Sequence, residues 1–179
     1  MATIDLEVAG LISSTGWSFD TGGVGDLQTS DDNRATDGQK GEVLICTLDD
    51  VPGDFGSMND VTLHVEGGRP AAGDRVMSFR VVLHDALGAG DLEEFTTADL
   101  TTTETIYDSS AFTRSDSATI IDRWSLQVHV LEGGGMPGGD DTSRVDHMWV
   151  TLDYNVSGGG GTAPYYYASL TGYGTGAGS

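Results

Sequence analysis

The sequence predicts an all-β protein, a β-sandwich of jelly-roll-like topology, on three observations. Apolar and polar residues alternate with a period of two in several separate segments, as strands buried on one face do. The composition sets 21 Asp against 7 Glu, with 27 Gly and frequent Thr, and so favours turns and strands over helices. Between the alternating segments lie loops of Gly, Asp and Pro, such as Asp49-Asp50-Val51-Pro52-Gly53-Asp54 and Gly133-Gly134-Gly135-Met136-Pro137-Gly138-Gly139, at the spacing of an eight-stranded sandwich.

In chain order, Thr3 to Val8 is a weak strand. It is followed by a long connection, residues 11–40, that is almost strandless and holds Trp17, Phe19 and the pair Asp31-Asp32. Loops of that length in a compact domain are usually binding or assembly elements, so Trp17 and Phe19 are candidate contact residues. Glu42 to Leu48 carries the lone cysteine, Cys46, inside the apolar run Val43-Leu44-Ile45-Cys46, which excludes an intrachain disulfide and points to burial. The cleanest alternation sets Val61, Leu63 and Val65 against Thr62, His64 and Glu66. Met77, Phe79, Val81 and Leu83 repeat it against Ser78, Arg80 and His84. Leu92 to Phe95 and Glu104 to Tyr107 are weaker strands, and Ser115 to Arg123 suits one short helical turn capped by Ser115 or Asp116. Trp124, Leu126, Val128 and Val130 then face inward against Arg123, Ser125, Gln127 and His129. The last run places Met148, Val150, Leu152 and Tyr154 on one side and His147, Trp149, Thr151 and Asp153 on the other, so Trp149 lines a second contact surface.

The domain is expected to end at Val156. Residues 157–179 form an extended Gly/Tyr-rich arm: Gly158 to Gly161 have no side chain to bury and read as a hinge. Beyond them Tyr165, Tyr166, Tyr167, Leu170 and Tyr173 stand among small residues with no charge. Two readings stand side by side, an arm that docks on a protein neighbour through tyrosines and a disordered tail.

Charge and motifs narrow the function. Twenty-eight acidic residues against eight basic ones give a formal charge of −20, a surface that repels phosphate and argues against nucleic-acid binding. No apolar stretch is long enough to span a membrane, and the N-terminus lacks a signal-peptide pattern, so synthesis in the cytoplasm is expected. Asp31, Asn33, Asp37 and Glu42 occupy some positions of a calcium loop, but Ala35 and Thr36 break it. Asp140-Asp141 with Asp146, and Asp49-Asp50 with Asp54, read as solvated loop carboxylates. His64, His84 and His129 all fall on polar strand faces without zinc-type spacing. No nucleophile elbow, triad or phosphate loop is present, so neither a catalytic residue nor a cofactor nor a metal is assigned.

From Trp17 to Tyr154 the order of landmarks resembles that of small structural proteins of tailed bacteriophages. Those landmarks are Trp17 before a Gly/Asp loop, Leu48-Asp49-Asp50-Val51-Pro52, Val61-x-Leu63-x-Val65, Trp124, and Arg144-Val145-x-x-x-Trp149-Val150-x-Leu152-x-Tyr154. The resemblance implies a non-enzymatic β-sandwich of the virion. It is expected to act as a capsid decoration (cement) protein on the outer surface of the head, with the major capsid protein and copies of itself as partners, as a trimer or a dimer. A tail or fibre protein binding a host-surface glycan, with Trp17, Trp149 or Tyr165 to Tyr167 as stacking platforms, is the alternative. A glycan-processing enzyme using two of the many carboxylates is the third reading.

Overall fold

A computed structural model describes residues 1–31, 33–71, 77–85, 90–132 and 142–157, with Asp37 described by its backbone alone. Among the described residues the eight expected segments form strands and two short ones join them, ten in all, and every pairing between them is antiparallel. They make two sheets that share one strand, a β-sandwich of the jelly-roll-like kind.

The first sheet is built around β10 (Ser143–Val156) and β5 (Phe55–Gly68), in register from Arg144 opposite Gly68 to Val156 opposite Phe55. Strand β8 (Thr105–Asp108) extends it beyond β5. On the other side of β10 lie the first half of β1 (Ala2–Ser13), with Ala2 opposite Tyr154 and Glu7 opposite Trp149, and β3 (Ala35–Gly38) with the two-residue β2 (Ser18–Phe19). The second sheet runs from the second half of β1 through β4 (Val43–Leu48), β9 (Trp124–Glu132) and β6 (Met77–Asp85) to β7 (Gly90–Thr96). Strand β1 therefore crosses from one sheet to the other, and its register shift between Val8 and Gly10 marks the change.

The core lies between the inner faces. Leu6, Leu63, Phe79, Leu126 and Val150 are each 0 % exposed, and Trp124 is 1 % exposed. Each such side chain contributes about 1.5–3 kcal/mol on burial. Cys46 sits in this layer, and burial pushes its thiol up to about 12, which leaves it inert at neutral pH.

Three expectations need correction. The 11–40 region is not strandless: β1 continues to Ser13, and β2, a 3-10 turn at Val24–Leu27 and β3 fill much of the rest. Gly10 and the bulge break the alternation there, so Leu11 and Ile12 end up 38 % and 55 % exposed without a readable inner face. Trp17, expected at a contact surface, is 7 % exposed and packs in the core over Gly38, where a Cβ would run into the indole ring. Phe19, expected beside it, is half-buried against the same core. The helix shrinks to α1 (Ala118–Ile121) with Ser117 in the cap position, because the Asp116 carboxylate instead accepts a 2.6 Å bond from Arg114.

The last described residue, Ser157, is held to the body by its N–H and its hydroxyl, which donate to the Asp54 carbonyl at 2.7 and 3.0 Å. Tyr165, Tyr166, Tyr167, Leu170 and Tyr173 lie outside the described residues, as do Asp32, Asp140 and Asp141.

Candidate functional site

The outer face of the first sheet gathers the polar halves of its strands into rows set by the register. One row runs Glu7, Trp149, His64, Asp108 across β1, β10, β5 and β8. Above it stand His147, Glu66 and Ile106, and below it Asp5, Thr151 and Thr62, then Thr3, Asp153 and Asp60. Trp149 therefore projects on the face that the alternation predicts for it.

Around Trp149 the side chains are locked. The His64 ring stacks on the indole with centroids 4.5 Å apart and planes 7° apart, and the His147 ring stacks at 4.2 Å and 23°. Each imidazole is oriented by a carboxylate, His64 Nδ1 lying 2.7 Å from Asp108 and His147 Nε2 lying 2.7 Å from Glu7. Offset stacking of this kind contributes about 0.5–1.5 kcal/mol per pair, and the carboxylates fix which way each ring faces. Further down the face, hydroxyls hold the acids: Thr151 donates to Asp5 at 2.6 Å, Thr3 to Asp153 at 2.5 Å and Thr113 to Asp60 at 3.0 Å.

A β-bulge ends the face at its upper edge. Val145 pairs with Gly67 and His147 with Glu66, which leaves Asp146 as the extra residue. Asp146 is 1 % exposed with no hydrogen-bond partner for its Oδ1. Burial, with the negative charges of Glu104 and Glu66, raises its carboxyl to about 6. Glu104 beside it is gripped by Arg34 and by Arg144, the latter at 3.0 Å.

The other sequence candidates do not assemble into sites. His84 and His129 share the second sheet, yet His129 stands opposite Arg80, four residues from His84 along β6. His84 Nδ1 is 2.9 Å from Asp91, while His64 is in the other sheet. In the calcium-like stretch Asp31 accepts the Asn33 N–H at 3.0 Å, which lowers its pKa, Glu42 accepts the Gln39 N–H at 2.7 Å, and β3 draws the chain out straight between them. Near Asp49-Asp50, Asp54 accepts the Tyr154 hydroxyl at 3.4 Å. Among the described residues no three His, Cys, Asp or Glu side chains converge as a metal would require, and no pocket is enclosed.

No protein-family model and no curated protein matches the chain. Solved structures similar to it at low identity include three carbohydrate-binding modules. The C-terminal family 6 carbohydrate-binding module of the laminarinase LamC from Zobellia galactanivorans is 12 % identical with a TM-score of 0.48, over 84 % of this chain and 98 % of that one. The family 32 module of AlyQ, in complex with 4,5-unsaturated mannuronic acid, is 13 % identical with a TM-score of 0.43, over 85 % of this chain and 99 % of that one. A family 29 module from Piromyces equi is 11 % identical with a TM-score of 0.33, over 85 % and 91 %.

The face is polar around an aromatic centre, Trp149, which two stacked imidazoles hold in place. The alternation at His147 and Trp149 could locate it, but the partners His64, Asp108 and Glu7 come from strands whose pairing order no local pattern encodes.

Proposed function

We propose that the protein is a non-enzymatic structural protein of a phage virion, one that decorates the head shell by docking its sandwich body and its C-terminal segment on neighbouring subunits. The observation that carries this reading is the division of the chain. Every charged side chain lies at or before Asp153 in the sequence, whereas the 22 residues after Ser157 have none and hold Tyr165, Tyr166, Tyr167, Leu170 and Tyr173. Ser157, clasped by Asp54, fixes the point from which that segment leaves. An acidic body stays dispersed before assembly, and an uncharged tyrosine-rich segment adds contacts that sum by avidity over many copies. The partners on this reading are the major capsid protein and further copies of this chain, as a trimer or a dimer, both of which suit a shell's local symmetry, with the trimer preferred.

The test is the copy number per purified particle by quantitative mass spectrometry, alongside attachment of a chain ending at Ser157. Hundreds of copies, and a folded but poorly attached truncation, support the reading. Full attachment of the truncated chain removes the role of the segment.

A second reading has its own observation. Trp149, bordered by Thr151, Thr62 and the carboxylates Asp5 and Asp108, supplies the aromatic and hydrogen-bonding groups that a host-surface glycan would meet on a tail protein. A few to some tens of copies per particle, together with saturable glycan binding lost in Trp149→Ala, would favour it.

A further inference from the structure

We propose that the outer face of the first sheet is a docking surface for a basic segment of a partner protein, with Trp149 at its centre and the surrounding carboxylates receiving arginine or lysine side chains. The inference deepens the decoration reading, since it gives the chemistry of the surface that would receive the body, while its test needs no particle.

Charge complementarity is the first argument. The rows of this face carry Asp5, Glu7, Asp60, Glu66, Asp108 and Asp153 with no lysine or arginine among them. The donors that reach these acids are hydroxyls and imidazoles. Asp60 and Asp153 even stand directly opposite one another, a cross-strand pairing of like charges that is unfavourable in isolation. On the second sheet Arg80 holds Glu94 and, at 3.5 Å, Asp91, which also takes His84. The second sheet thus carries an arginine among its acids, whereas the rows of the first face do not.

The second argument comes from the bulge. Asp146, 1 % exposed, leaves its Oδ1 without a hydrogen-bond partner, and among charged groups Glu104 and Glu66 act on it most strongly. Glu66 itself keeps a buried Oε2 with no partner. The bulge therefore adds negative charge at the end of the face, where the arginines Arg34 and Arg144 are engaged with Glu104.

The centre supplies the third. Held by two stacked imidazoles, each tied to a carboxylate, the indole is preorganised, so ordering it costs little on binding. Arginine is the side chain that best combines the two features, pairing with carboxylates by its fork and stacking on aromatic rings by its plane.

The experiment titrates the full chain with octa-arginine at 50 and 300 mM salt, following backbone amides by NMR, with a neutral β-linked glucose hexasaccharide in a parallel arm. Amide shifts confined to β5, β8, β10 and the first half of β1 are expected. Affinity should fall at least tenfold in Trp149→Ala, which leaves the charge unchanged, and at least tenfold in Thr151→Lys, an exposed-face change that keeps the tryptophan stack should Trp149→Ala unfold. Glu93→Gln on β7 should stay within twofold. Shifts spread evenly over both sheets with Trp149→Ala and Thr151→Lys unchanged, or no shifts at all, would overturn the proposal, as would tighter binding of the hexasaccharide to the same residues. A failed titration beside hundreds of copies per particle leaves the decoration reading standing. A successful one with the chain absent from particles removes that reading and keeps the face.

Discussion

Asp146 works against the fold at neutral pH. Its carboxyl titrates at about 6 in the folded chain, against an ordinary value of about 3.9 in the unfolded one. Between those two values the folded chain holds the extra proton, so the stability it supplies is fully present below about pH 4 and is lost as pH rises through about 6. That difference corresponds to about 3 kcal/mol. Asp146→Asn, which cannot ionise, should stabilise the protein by up to about 3 kcal/mol at pH 7.5 and by almost nothing at pH 4. Urea midpoints of both chains at the two pH values check this, and an equal gain at both would show that charge is not the cause.

At the scale of elements, the paired strands were legible wherever one side of a segment met the core and the other met water. Val61, Leu63 and Val65, or Met148, Val150 and Leu152, show the alternation because every second residue is fully buried. β2 and β3 were not legible. Two and four residues are too short for a period to show, and β3 exists because Val145 and Ser143 offer it a ladder from the far end of the chain. Trp17 was placed at a surface because its loop lacks alternation, yet the space above Gly38 takes it into the core. Gly38→Ala should therefore push the indole aside and destabilise the fold by about 1–3 kcal/mol. A double variant in which Trp17→Leu accompanies it should recover part of that loss, and denaturation of the three variants as a cycle measures the coupling. The candidate face was half legible: the alternation found Trp149, while its stack required the knowledge that β10 lies between β1 and β5.

Over the whole molecule the charge of −20 sets the balance. Among the described residues, Arg80 pairs with the exposed Glu94 and Asp91, while Arg34 and Arg144 on Glu104, Arg114 on Asp116 and Arg123 on Asp85 are half-buried. Eight basic residues cannot balance 28 acids, so repulsion between acids outweighs these pairs and salt should stabilise the chain. Raising sodium chloride from 0.05 to 0.5 M is expected to add at least about 1 kcal/mol, an increase in Tm of about 2–4 °C for a domain of this size. Differential scanning calorimetry tests it, and a fall in Tm would mean that the ion pairs dominate.

The pairing of the first strand with the last also decides how the body meets a pulling force. Because Ala2 lies opposite Tyr154 in an antiparallel pair, Met1 and Ser157 emerge at the same end. Tension applied between them falls on one rung of the ladder at a time, as on a zipper, and does not shear all rungs together. In a single-molecule stretching experiment, the body should open at a lower force when held at Met1 and Ser157 than when held at Met1 and Ser143, which lie at opposite ends of the β1–β10 pair and load its rungs in shear. A body tethered only through its C-terminal segment escapes that weakness, since the load then enters at the Ser157–Asp54 clasp and leaves the first strand slack.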